Sequence, residues 1–101
     1  MNPQTTLNVD LDALGRVCVR YRVTELSVFG SGARGELRPD SDVDLLVVFE
    51  EGARVTLFTL VDLQAELSEV LGRRVDLVPK DGLKPALKPE VLAEARVLYA
   101  A

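Results

Sequence analysis

The sequence has no histidine and one cysteine, Cys18. The first absence excludes Ser-His-Asp and Cys-His catalysis and any histidine-ligated metal. The second excludes an internal disulfide and every zinc site that needs more than one thiolate. A bound metal would therefore take oxygen ligands, which favours Mg2+, Mn2+ or Ca2+. Basic residues are also outnumbered: 12 against 16 acidic ones give a net charge of −4. An acidic domain is poorly suited to gripping nucleic acid by its phosphates. No apolar run approaches a membrane span, and Met1–Asp10 lacks the charged and apolar regions of a signal peptide. A cytoplasmic protein is expected, with neither membrane nor direct nucleic-acid contact.

What is present fits one compact unit over residues 1–101, with 48% hydrophobic and 28% charged residues. That length suffices for a core but not for a catalytic domain with a separate acceptor-binding domain. Leu11, Leu14, Val17, Cys18 and Tyr21 recur at helical spacing, with Asn8 or Asp10 as N-cap. Glu25–Phe29 reads as a strand ending at Gly30, and Ser41–Phe49 as a second strand. Leu57 to Leu71 carries the apolar spacing of the longest helix, closed by Gly72. Val75–Val78 is a third strand, broken by Pro79. Pro89 suits the first turn of a last helix, with Val91, Leu92, Ala95 and Leu98 as its inner stripe. The predicted fold is α/β (α+β), a short sheet of about three strands with helices against one face.

Chemistry concentrates in two segments. In Ser41-Asp-Val-Asp-Leu-Leu-Val-Val-Phe49, alternation puts Val43, Leu45, Val47 and Phe49 on one face and Asp42, Asp44, Leu46 and Val48 on the other. The two carboxylates stand about 6.6 Å apart along the strand. Like charges at that spacing repel unless a cation lies between them, and both can reach one divalent ion. The plainer alternative is a solvated strand end. Ahead of it lies Gly30-Ser-Gly-Ala-Arg-Gly35, where a strand opens into a helical turn expected through Ala33–Leu37. Such a junction presents backbone N–H groups to an anion. Gly30 permits close approach of a phosphate, Ser31 adds a hydroxyl donor, and Arg34 lies one turn further on. Asp76 is a third acid, in the otherwise apolar Val75-Asp-Leu-Val78. It would join Asp42 and Asp44 if the two strands are neighbours. Its alternative is a salt bridge to Arg73 or Arg74.

Gly30-Ser-Gly-Ala-Arg-Gly35 followed by Ser41-Asp-Val-Asp-Leu-Leu46 resembles the signature of the DNA polymerase beta-like nucleotidyltransferases. The short length, Val75-Asp-Leu-Val-Pro79 and Glu94-Ala-Arg-Val-Leu-Tyr99 resemble its minimal branch, the MNT proteins. The resemblance runs from about Val23 to Tyr99, and implies a single nucleotidyltransferase domain over 1–101. It implies that Asp42 and Asp44 bind two Mg2+ ions and that Asp76 binds the metal nearest the acceptor. Gly30 and Ser31 would hold the β- and γ-phosphates of a nucleoside triphosphate, with Arg34 as a secondary contact. It further implies AMP transfer from ATP to a tyrosine of a HEPN-domain toxin, with this chain as antitoxin. Two other classes stay open: a module that neutralises its partner by masking alone, and a transferase for a small-molecule acceptor. Homo-oligomerisation is compatible with the exposed helix faces.

Overall fold

The computed structural model describes residues 9–35, 38 and 40–101. Helix α1 spans Leu11–Arg20, and Asp10 caps it by accepting from the N–H groups of Asp12 and Ala13 at 3.1 Å each. Of the two expected caps, Asn8 lies outside the described residues. Strand β1 (Val23–Phe29) leads into a 3₁₀ turn at Gly30–Gly32, and β2 covers Val43–Phe49. Helix α2 (Leu57–Leu71) starts with a Thr56–Thr59 capping box. It stops at Gly72, whose φ of 65° is the left-handed conformation that glycine adopts without strain. Strand β3 (Val75–Pro79), helix α3 (Lys88–Glu94) and strand β4 (Arg96–Ala100) complete the described chain. Among the described residues no helix is long and apolar enough to cross a membrane.

Among the described residues the sheet has four strands, in the order β3-β2-β1-β4. Strand β1 is antiparallel to both neighbours, whereas β2 and β3 run parallel. Alternation puts Leu26, Val28, Val43, Leu45, Val47 and Val75 into one apolar cluster with Leu14, Val17 and Cys18 of α1 and Leu63, Leu67 and Leu71 of α2. Cys18 is a buried core residue, and its burial pushes the thiol up to about 11. The helical layer is also clasped at its surface, where Tyr21 and Arg20 both donate to the Glu66 carboxylate. Helix α2 is apolar on more than one side. Its first turns leave Leu57, Phe58 and Val61 at 74%, 81% and 57% exposure.

Two features differ from the sequence expectation. The predicted last helix with the stripe Val91, Leu92, Ala95 and Leu98 ends at Glu94. Ala95 is extended (ψ 141°), and the residues after it form β4 against β1. Central strand β1 has edges on both sides, and pairing the second one outweighs another helical turn. The sheet therefore has four strands, not three. The face turned away from α1 and α2 by alternation is not bare, since Ser27 and Leu46 on it are 4% and 3% exposed.

Candidate active site

Register brings the acids together. Phe29 at the end of β1 pairs with Asp44 of β2, and Asp44 stands beside Asp76 of parallel β3. Asp42 precedes β2 by one residue, because the strand begins at Val43 and not at Ser41. The turn from Phe29 into Gly30 closes directly on Asp44: a Cβ at position 30 would lie 2.6 Å from Asp44 Oδ2. Gly30 also has φ +68°. Glycine is thus required twice at this position, once by backbone conformation and once by the carboxylate it faces.

The turn is short and internally bonded. Ala33 and Arg34 donate their N–H groups to the Gly30 carbonyl at 3.1 and 3.2 Å. The first N–H groups of such a turn have no partner within it by geometry and can donate to an anion. Ser31 is half-buried beside Gly30. The helical turn expected as far as Leu37 is described as far as Gly35; residues 36 and 37 lie outside the described residues.

Electrostatics mark Asp44 as the strained member of the set. Burial raises its pKa most, and the charges of Asp76 and then Asp42 raise it further. Asp42 has a partial counter-charge, Arg74 Nε at 4.0 Å. Arg73 turns to backbone instead, donating to the carbonyl of Arg38 at 2.6 Å and of Ser41 at 3.5 Å. Neither arginine takes the role of ion-pair partner to Asp76 that the sequence left open. Among the described residues, no three acidic or other ligand side chains converge as a ready metal cage. Mutual repulsion favours that spread, and a cation would oppose it. The donor set, carboxylate oxygens around a half-buried and destabilised Asp44, fits a hard divalent ion.

Arg34, expected as a secondary phosphate contact, lies in the turn itself. Its guanidinium forms an ion pair with Glu94 at the C-terminal end of α3. Sequence reading did not single out Glu94 as a site residue. The one signal for it was its place in the Glu94–Tyr99 segment, far from the glycine turn in the chain.

A model of the nucleotidyltransferase domain family matches residues 12–99. The chain belongs to that family. Its nucleotidyltransferase character extends to close relatives: it is 48% identical over 75 residues to the protein adenylyltransferase MntA of Thermococcus cleftensis, covering 74% of each chain. A solved structure provisionally named a minimal nucleotidyltransferase matches with a TM-score of 0.71 at 48% identity, over 85% of this chain and 86% of that one. The fold is shared more distantly with a chain of the Shewanella oneidensis complex of tri-AMPylated HEPN toxin with MNT antitoxin. There the TM-score is 0.64 at 17% identity, over 90% of this nucleotidyltransferase and 70% of that chain.

Proposed function

We propose that this nucleotidyltransferase is a Mg2+-dependent protein adenylyltransferase. It moves AMP from ATP to a tyrosine hydroxyl of a HEPN-domain partner and silences that partner as its antitoxin. The observation that carries the reading is the packing of Gly30 against the Asp44 carboxylate, with Asp76 in register beside it. A phosphate-binding turn and a carboxylate set thus share one end of the sheet, as nucleotidyl transfer requires. The acceptor is supported by kinship: a relative at 48% identity is named a protein adenylyltransferase, and the fold recurs in a complex with an AMPylated HEPN toxin.

In this reading Asp42, Asp44 and Asp76 would hold two Mg2+ ions through their carboxylate oxygens. Bound Mg2+ would neutralise charge on the attacking and leaving oxygens of an in-line displacement. Gly30 and Ser31 hold the β- and γ-phosphates through backbone N–H groups and the serine hydroxyl, and Arg34 adds a cationic contact. The acceptor oxygen bonds to the α-phosphorus, the bond to the β-phosphate oxygen breaks, and pyrophosphate leaves. Asp76 takes up the hydroxyl proton. The partner would bring the acceptor, and the exposed apolar residues at the start of α2 offer area for such a contact.

Incubating the protein with Mg2+, α-labelled ATP and the HEPN protein should label the partner. An unlabelled partner, or label that survives the double substitution Asp42→Ala with Asp44→Ala, would overturn the proposal.

A further inference from the structure

Ala33 of the glycine turn is buried in the core cluster, and two further contacts among the described residues tie the turn to the fold. One is the contact between Gly30 and Asp44. The other is Arg34, whose backbone N–H closes the turn on the Gly30 carbonyl at 3.2 Å while its side chain pairs with Glu94. The pair spans 60 positions of sequence and joins the turn to the end of α3. Glu94 is the less exposed partner, its side chain 24% exposed against 48% for Arg34. It therefore acts as the fixed post, and the arginine as the tether.

From this geometry we infer that Glu94 is a positioning residue for triphosphate binding: by holding Arg34 it keeps the Gly30–Ser31 turn in the conformation that receives the phosphates. The inference rests on the reading of that turn as the triphosphate site. It also gives α3 a role in the site, although that helix contributes no buried side chain to the core. Glu94 has no contact with the nucleotide in this account. Its effect passes through Arg34 alone.

The test measures the affinity of Mg2+ with a non-hydrolysable ATP analogue for the full chain, by calorimetry, in four proteins: wild type, Glu94→Gln, Arg34→Ala and the double variant. Glu94→Gln keeps the side-chain size and an acceptor oxygen, so the fold should survive; thermal unfolding checks that. Its Kd should rise about threefold to tenfold, the effect of weakening a charge-assisted hydrogen bond. Glu94→Asp should recover part of the loss. On the Arg34→Ala background Glu94→Gln should change nothing further, because the tether is already gone. A Kd unchanged or tightened by Glu94→Gln overturns the inference, and so does an equal loss on both backgrounds. A lowered Tm with wild-type Kd would reduce the pair to a structural clasp, which also overturns it. If wild type itself binds no nucleotide, the reading of the turn fails and takes this inference with it. A failure confined to the Glu94 variants leaves that reading intact.

Discussion

The two faces of the sheet use carboxylates in opposite ways. On the helix-covered side, Glu66 accepts from Tyr21 and Arg20, and its pKa is lowered, the Tyr21 hydrogen bond being the largest cause. The same bond, with burial and the negative charges of Glu66 and Asp62, pushes Tyr21 up to about 12. On the other side, Asp44 has its pKa raised by burial and by Asp76 and Asp42. Glu66 is satisfied by its surroundings, whereas Asp44 is held against them. A fold tolerates such a group where something outside the chain is meant to complete it. Both faces are built on the same β2 strand: Leu45 is fully buried in the core, and Asp44 precedes it by one residue on the reverse side.

That contrast can be pressed at single positions. The largest effect on stability is expected on the core face. Leu45→Ala removes a fully buried side chain and should cost about 2–5 kcal/mol in denaturant unfolding. A loss below 1 kcal/mol would mean that the two faces are not distinct in this way. Gly30→Ala comes next. It combines φ +68° with a Cβ only 2.6 Å from Asp44 Oδ2, and should cost about 1–3 kcal/mol. It should also weaken nucleotide binding, which Leu45→Ala refolded to the native state should not.

Tyr21→Phe should have the smallest effect, lowering Tm by about a degree or two at neutral pH, since a partly exposed bond contributes little. Its pH dependence is more informative. A carboxyl with a lowered folded pKa stabilises above its ordinary range, and that contribution is lost as pH falls through the folded value. Losing the Tyr21 bond should therefore shrink the acid-side fall in Tm. An unchanged acid profile would remove Glu66 from the comparison.

Most of the core face and the pairing of Asp42 with Asp44 could be read from the sequence, because local pattern determines both. Alternation through Val43–Phe49, the apolar spacing from Leu57 to Leu71, and the Gly72 stop are properties of neighbouring residues. What escaped depends on pairing between distant segments. Arg96-Val-Leu-Tyr99 continues a helical stripe from Val91, yet it becomes a strand because β1 offers an open edge. A β-branched residue and an aromatic in that run were the available hint. The place of Asp76 beside Asp44 needed the strand order, and the capture of Arg34 by Glu94 needed the position of α3. Gly30 was expected to admit a phosphate; what the structure shows there is that the missing Cβ makes room for Asp44.

On the proposed reading, Asp44 is kept at a cost to stability because a divalent cation completes it. The most direct test is the Tm of wild type and Asp44→Asn, each with and without Mg2+ at neutral pH. A raised folded pKa means that an ionised Asp44 destabilises the native state above that value, and that the penalty fades as pH falls towards the ordinary carboxylate range. Without Mg2+, Asp44→Asn should therefore melt higher than wild type, with the gap closing on acidification. Adding Mg2+ should raise the wild-type Tm and leave the variant nearly unchanged. A variant that melts lower than wild type without metal, or a wild type indifferent to Mg2+, would contradict the account.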